Sequence, residues 1–158
     1  MLAIGALKTA PAFEAALGTG LRAAEALLDD AILEKFASYL GEGYQILNDL
    51  EDWKAISDNK VTQGQDVRSA RPTILRAFAL KAGAGAELER AAGSGDSVEA
   101  VERVRQVYER TGAFGRTEEL MKKLRARALA AADEIPGESL RELFRFLVRV
   151  LLEPRETA

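Results

Sequence analysis

The segment from Gly41 to Trp53 places a narrow polar stripe on an otherwise apolar stretch, and no other feature constrains the fold as strongly. Residues three, four and seven positions apart share one face of an α-helix. Four polar residues follow that spacing: Gln45, Asn48, Asp49 and Asp52. Most other positions are apolar: Tyr44, Ile46, Leu47, Leu50 and Trp53. Because buried carboxylates need polar partners, the pattern predicts a well-packed helix whose polar stripe faces a polar group inside the protein.

The stripe carries oxygen donors that suit a divalent cation. Mg²⁺ typically takes one or two protein carboxylates, while waters and substrate phosphate oxygens complete its shell. A lysine can meet the remaining phosphate charge, and Lys60 lies downstream in the polar, patternless stretch from Ser57 to Arg71. The combination is compatible with a Mg²⁺–phosphate site. Taken by spacing alone, however, acidic residues three apart on a helix are more often solvated surface.

The composition limits the class of protein. The 158 residues, of which 47% are hydrophobic and 30% charged, suffice for one core of several helices. The absence of Cys and His excludes thiol chemistry, Ser-His triads and the usual zinc ligands. A net charge of −3 gives no support to nucleic-acid binding. No apolar run approaches the roughly 20 residues that span a bilayer, and no secretory leader is visible, so a cytoplasmic location is expected.

Helical patterning extends along the whole chain. Ala and Leu are abundant, β-branched residues are sparse, and no alternating strand-like run occurs. The sequence therefore predicts one all-α domain, a helical bundle, over residues 1–158. The expected helices run from Ala3 to Leu28 with a kink near Gly18-Thr19-Gly20, from a cap at Asp29 or Asp30 to about Ile56, from Pro72 to Gly83, from Ala84 to Ala92, from a cap at Asp96 or Ser97 through Tyr108, from Thr117 to about Ile135, and from Glu138 to Leu152.

The order of short motifs resembles a known family. Gly-x-x-Tyr-Gln-x-x-Asn-Asp-x-x-Asp at residues 41–52 is similar to the second aspartate-rich motif of the trans-isoprenyl diphosphate synthases, or polyprenyl synthetases. That motif is usually Gly-x-x-Phe-Gln-x-x-Asp-Asp-x-x-Asp. Further family elements look like Lys8-Thr9, Asn59-Lys60, Gly64-x-Asp66, Arg71-Pro72-Thr73, Thr111–Phe114 and Ile135-Pro136-Gly137. The resemblance covers nearly all of this chain but only about the C-terminal half of a family member, so the chain is expected to be a fragment with the C-terminal part of the isoprenoid synthase fold.

The resemblance implies a Mg²⁺-dependent prenyltransferase of isoprenoid biosynthesis, which condenses an allylic diphosphate with isopentenyl diphosphate. It assigns metal binding to Asn48, Asp49 and Asp52. It assigns a catalytic role to Lys8 and Lys60, which would bind the leaving diphosphate. Substrate binding would also involve Thr9, Gln45 and Arg71, with Asp66 in a supporting role. The resemblance also implies that this chain assembles as a homodimer or heteromer.

Two departures from the family pattern bear on activity. Asn48 stands where the family usually has the leading Asp of the motif, so weaker metal affinity is expected. The family's first aspartate-rich motif and its isopentenyl diphosphate-binding cations lie upstream of the matching region, and Asp29-Asp30 does not replace them. The chain alone is therefore expected to be inactive. Two alternatives stay open: a noncatalytic or regulatory subunit that partners a full synthase, and a terpene-synthase-like relative that binds diphosphates without elongating them.

Each candidate residue also has an ordinary structural interpretation. Gln45 taken alone is better explained as a buried amide that bonds to the backbone, and Lys8, Lys60 and Arg71 could each be surface cations. Trp53 is better explained as a core or subunit contact than as a platform for substrate. The ordered set of motifs, and no single member of it, favours the family interpretation.

Overall fold

The computed structural model of the protein describes residues 2–54, 72–93 and 98–153. Regular structure within these ranges is entirely α-helical, which confirms the all-α prediction. The helices are α1 (Leu2–Ala23), α2 (Asp30–Lys54), α3 (Ile74–Lys81), α4 (Gly85–Ala92), α5 (Val98–Arg110), α6 (Ala113–Asp133) and α7 (Glu138–Leu152). None of the helices in these ranges combines the length and the apolar character needed to cross a membrane.

The described residues fall into two compact units along the chain. One unit is drawn from Leu2–Leu47 and Met121–Ala158, and the other from Asn48–Leu120. Helix α2 therefore contributes residues to both. The single domain over residues 1–158 stays a prediction.

Helix α1 differs from its prediction in two respects. It continues without a break through Gly18 and Gly20, where a kink was predicted. Gly18 is buried, and a Cβ built on it would lie in ordinary van der Waals contact, 3.5 Å, with the Leu33 side chain of α2. Packing against α2 thus outweighs the low helix propensity of glycine. The helix also ends at Ala23 instead of Leu28, just before Glu25 adopts a left-handed φ of 51°.

Asp29 caps the start of α2, which decides between the two caps that the sequence predicted, Asp29 and Asp30. Its carboxylate accepts a hydrogen bond from the backbone N–H of Ala31 at 2.8 Å, and its carbonyl accepts bonds from Ile32 and Leu33. These contacts satisfy donors that have no partner inside the helix. From this cap, α2 runs for 25 residues to Lys54.

In the unit drawn from Leu2–Leu47 and Met121–Ala158, α2 packs against α7. The rings of Phe36 and Phe144 lie 4.7 Å apart between centroids, and both side chains are almost completely buried. The buried residues of α7 repeat every fourth position: Phe144, Val148 and Leu152. Two ion pairs at the end of α6 accompany this core, Lys35–Glu134 and Arg145–Asp133, each 2.6 Å long.

Gly41 brings the backbones of α1 and α2 into close approach. A Cβ built on Gly41 would lie 2.7 Å from the backbone nitrogen of Ala10 and 2.8 Å from its Cα. Real Cβ atoms do not approach backbone atoms so closely, so only glycine fits here. One turn further along each element, Phe13 and Tyr44 form an edge-to-face pair 5.7 Å apart. The contact fixes the spacing of the two helices next to the polar stripe.

In the unit drawn from Asn48–Leu120, an aromatic cluster holds the end of α2. Trp53 is 4% exposed, and its ring lies edge-on to Tyr108 at 5.3 Å and to Phe114 at 6.1 Å. Helix α5 packs against α3 and α4 through buried apolar residues: Leu75, Ala79, Leu88, Ala91, Val101, Val104 and Val107.

The predicted start of α6 was wrong by four residues. The helix begins at Ala113, and Thr117 is fully buried inside it, where its hydroxyl donates to the Ala113 carbonyl at 2.8 Å. Gly112 adopts a left-handed φ of 66°, which turns the chain directly from α5 into α6. Thr117 therefore bonds within the helix instead of capping its start.

Replacing Gly41 with Ala tests the close approach of α1 and α2. The added Cβ must displace backbone atoms, so we expect the free energy of unfolding to fall by about 1–3 kcal/mol. Chemical denaturation followed by circular dichroism measures it. Two glycine-to-alanine controls differ only in surroundings. Gly43→Ala meets a side-chain methyl group of Leu152 at 3.0 Å instead of backbone atoms and should cost less.

Gly20→Ala, on α1, meets no atom of the described residues within 4 Å. It should raise the free energy of unfolding by about 0.5–1 kcal/mol, because alanine favours helix. Equal effects of all three substitutions would contradict the proposed close contact at Gly41.

Glu42 predicts a pH dependence of stability. Burial raises the pKa of its carboxyl above the ordinary glutamate value, while Arg127 and a hydrogen bond with Ser38 oppose the rise. The folded state therefore holds this proton to a higher pH than the unfolded state does. We expect the contribution of Glu42 to the free energy of unfolding to fall as pH rises from about 4.3 through the raised pKa.

Glu42→Gln should remove this loss, so that the free energy of unfolding of the variant rises relative to that of the parent protein as pH increases. Unfolding measured from pH 4 to pH 7 checks the sign, with Glu34→Gln, an exposed glutamate on the same helix, as the control. A pH profile unchanged by Glu42→Gln but changed by the control would refute the assignment.

Candidate functional site

The polar stripe lies on α2, as predicted, but its members differ in exposure. Gln45 and Asn48 are half-buried, Asp49 is 8% exposed and Asp52 is exposed. The neighbouring apolar residues are buried: Ile46, Leu47, Leu50 and Trp53. The stripe is thus the polar part of a helix whose other faces are packed into protein.

Gln45 and Thr9 come together although they are 36 residues apart in sequence. The Thr9 hydroxyl lies 3.4 Å from the Gln45 side-chain oxygen, in donating geometry at the long end of the hydrogen-bond range. Both residues were assigned to substrate binding by the resemblance, and the structure brings them together. The spacing of α1 and α2 set by Gly41 allows this contact.

Asp49 is directed at the beginning of α3. Its Oδ2 accepts a hydrogen bond from the backbone N–H of Ile74 at 3.3 Å. The first helical N–H groups have no partners within a helix, and a carboxylate is favoured there by the helix dipole. Thr73 caps the same helix, since its hydroxyl oxygen accepts a bond from the Arg76 N–H at 3.3 Å.

The contact between Asp49 and Ile74 was not predicted from the sequence. The signal for a helix start was present, because a threonine after Pro72 and before an apolar run is a typical N-cap. Nothing in local spacing, however, shows which carboxylate meets a helix start 25 residues away.

Four predicted site residues lie wholly or partly outside the described residues. Lys60, Asp66 and Arg71 lie outside the described residues, and so does the side chain of Lys8, whose backbone belongs to α1. Among the residues that the structure does describe, no group of three or more Asp, Glu, His or Cys side chains could hold a metal ion. The stripe itself offers the carboxylates of Asp49 and Asp52 and the amide oxygens of Gln45 and Asn48.

Trp53 belongs to the core, as the sequence favoured. It packs against Tyr108 and Phe114 and leaves almost no surface for a ligand. Its position next to Asp52 in the chain means that the aromatic cluster holds the last turn of the stripe in place.

The family model for polyprenyl synthetases matches residues 2–111. The chain belongs to the polyprenyl synthetase family. No curated protein sequence matches the chain significantly.

Solved structures of this family share the fold. A decaprenyl diphosphate synthase from Rhodobacter capsulatus superposes with a TM-score of 0.81 at 23% identity, over 98% of this chain and 50% of that one. A geranylgeranyl pyrophosphate synthase from Lactobacillus brevis, complexed with citrate, superposes with a TM-score of 0.81 at 24% identity, over 96% of this chain and 50% of that one. A polyprenyl synthase from Caulobacter crescentus, complexed with calcium and isoprenyl diphosphate, superposes with a TM-score of 0.76 at 25% identity, over 96% of this chain and 48% of that one.

These matches confirm the predicted isoprenoid synthase fold. The chain spans about half the length of the solved structures that it matches. The polyprenyl synthetase family thus supplies the context for the stripe on α2, and prenyl transfer in isoprenoid biosynthesis is the chemistry of that family.

Replacing Trp53 with Ala tests whether this residue belongs to the core. Loss of a fully buried indole between two aromatic rings should lower the free energy of unfolding by about 3–5 kcal/mol. Trp53→Phe, which keeps one ring in the cluster, should lose much less. Circular dichroism must follow unfolding, because the chain has a single Trp. A Trp53→Ala variant as stable as the parent would place this side chain outside the core.

Proposed function

We propose that this chain supplies the second aspartate-rich motif of a Mg²⁺-dependent prenyl diphosphate synthase, which condenses an allylic diphosphate with isopentenyl diphosphate. One observation carries the proposal. The family match over residues 2–111 includes a continuous helix, α2, that bears Gln45, Asn48, Asp49 and Asp52 at the family's spacing. The half-length coverage of the solved relatives supports a chain that acts together with a further half of the bundle.

The donor set of the stripe fits Mg²⁺. All three proposed ligands, Asn48, Asp49 and Asp52, offer oxygen atoms, and Mg²⁺ commonly takes only one or two carboxylates together with phosphate oxygens and water. The hydrogen bond that Asp49 accepts from Ile74 is compatible with ligation, because a carboxylate has about four acceptor sites. Bound Mg²⁺ would neutralise charge on the diphosphate as the bond to the allylic carbon breaks.

The remaining residues would bind the substrate. Gln45 would present its side-chain N–H groups to the diphosphate, and the Thr9 hydroxyl, which donates to the Gln45 oxygen, would support the orientation of that amide. We assign substrate binding to Lys8 as well, because it belongs to the same Lys-Thr motif as Thr9. We assign it to Lys60 and Arg71 because they match later motifs in the order in which the family has them. Their positive charges would stabilise the leaving diphosphate.

The solved Caulobacter crescentus synthase supports the choice of ligand class. Its crystals hold calcium and isoprenyl diphosphate, a divalent cation and a prenylated diphosphate in one complex. We extend that ligand class to this chain, with Mg²⁺ as the cation. Because one aspartate-rich motif can supply only part of a metal site, the chain alone should bind diphosphate weakly and elongate nothing.

Titration with inorganic diphosphate, in the presence and absence of Mg²⁺, tests the proposal by calorimetry. The chain should bind diphosphate only with Mg²⁺ present. Asp52→Asn should weaken this binding by about tenfold or more, because the site loses one of its two charges. Asn48→Asp restores the family's usual residue and should strengthen binding. Glu34→Gln, which removes an exposed charge from the same helix, is the matched control and should change nothing.

Binding that is equally strong without Mg²⁺, or equally affected by Glu34→Gln, would overturn the proposal. The same protein, supplied with an allylic diphosphate, isopentenyl diphosphate and Mg²⁺, separates the alternatives. Release of pyrophosphate without a longer prenyl product would favour a terpene-synthase-like relative. A stable complex with a full-length synthase, with no effect of Asp52→Asn on its rate, would favour a noncatalytic subunit.

A further inference from the structure

Asp49 and Asp52 lie three residues apart on one helix but have different surroundings. Asp49 is buried and accepts a hydrogen bond from the backbone of α3, whereas Asp52 is exposed. Two carboxylates that served only as equivalent ligands would not need this difference. The contact with α3 therefore calls for an explanation of its own.

The beginning of α3 is built to present one backbone N–H to Asp49. Thr73 has an extended backbone, with φ −91° and ψ 161°, and its side chain satisfies the Arg76 N–H. Thr73 is itself buried, at 5% exposure. The N–H of Ile74, the first residue of the helix, is one of the donors that the helix cannot satisfy internally. Asp49 accepts from that donor.

We propose that the Ile74 backbone amide is a positioning group for the Asp49 carboxylate, so that the N-terminus of α3 forms part of the metal-binding site. The inference deepens the proposed function and rests on it. Ligating carboxylates are commonly held by a hydrogen bond from a neighbouring group, which fixes their orientation. The same bond links α3 to α2.

The donor can be removed without touching Asp49. Ile74→Pro deletes the N–H at the first helical position, where proline is otherwise well tolerated. The extended backbone of Thr73 already suits a residue that precedes proline. Ile74→Ala shortens the side chain but keeps the N–H, and it is the matched control. Asp49→Ala removes the acceptor, whereas Asp49→Asn keeps an acceptor oxygen.

The first measurement is a double-mutant cycle on unfolding. Asp49→Ala should raise the unfolding constant by about tenfold or more in the parent chain, because the Ile74 N–H loses the carboxylate that accepts from it. It should raise the unfolding constant by a clearly smaller factor in the Ile74→Pro chain, where this donor is already absent. In the Ile74→Ala chain its effect should be as large as in the parent. If Asp49→Ala raises the unfolding constant by the same factor in the parent, Ile74→Pro and Ile74→Ala chains, the inference is overturned.

The second measurement is the Mg²⁺-dependent binding of inorganic diphosphate. Ile74→Pro should weaken binding by about tenfold, the usual effect of losing a group that orients a ligand, while Ile74→Ala leaves it unchanged. Equal affinities of the two variants would refute a positioning role, even if the cycle shows that the bond exists.

The two measurements separate this inference from the proposed function. If the parent chain binds no diphosphate with Mg²⁺, the proposed function fails and the positioning role fails with it, and a coupled cycle would then identify Asp49 as a structural contact for α3 alone. If the parent chain binds and the cycle shows no coupling, only the present inference fails.

Discussion

The burial of α2 determines how this molecule can work. Its apolar residues around the stripe are almost completely buried, so a polar side chain buried with them, such as Asp49, needs a partner within the protein or in a ligand. Two of those partners belong to other helices: the hydroxyl of Thr9 meets Gln45, and the backbone of Ile74 meets Asp49. Asp52 is the exposed carboxylate of the stripe, and we propose that it meets the cation. We propose that the stripe, with these different environments, serves metal and diphosphate.

Close packing and aromatic contacts fix the geometry of the stripe. Gly41 allows α1 to approach α2 at backbone distance, and Trp53 holds the end of α2 through Tyr108 and Phe114. Neither residue offers a functional group to a ligand. Each acts by restricting where neighbouring polar groups can lie, and such restriction reduces the entropy that a ligand must remove when it binds.

The sequence predicted features that depend on local chemistry and missed those that depend on tertiary contact. The Asp29 cap and the bounds of the last helix follow from neighbouring residues, and the structure has both. The kink near Gly18 does not occur, because packing on Leu33 keeps the helix intact. The stripe on α2 was predicted from its spacing, and its assignment to metal came from the family resemblance. The bond from Ile74 to Asp49 joins positions 25 residues apart, which no local pattern encodes.

The central claim is that the stripe on α2 is one side of a metal–diphosphate site in a polyprenyl synthetase fold. The most direct test replaces Mg²⁺ with paramagnetic Mn²⁺ in the ¹⁵N-labelled chain and adds inorganic diphosphate. The account predicts that the amide signals around Asn48 and Asp52 broaden first, at Mn²⁺ concentrations that leave other signals sharp. Broadening that follows exposed acidic residues all along the chain, without preference for α2, would contradict it.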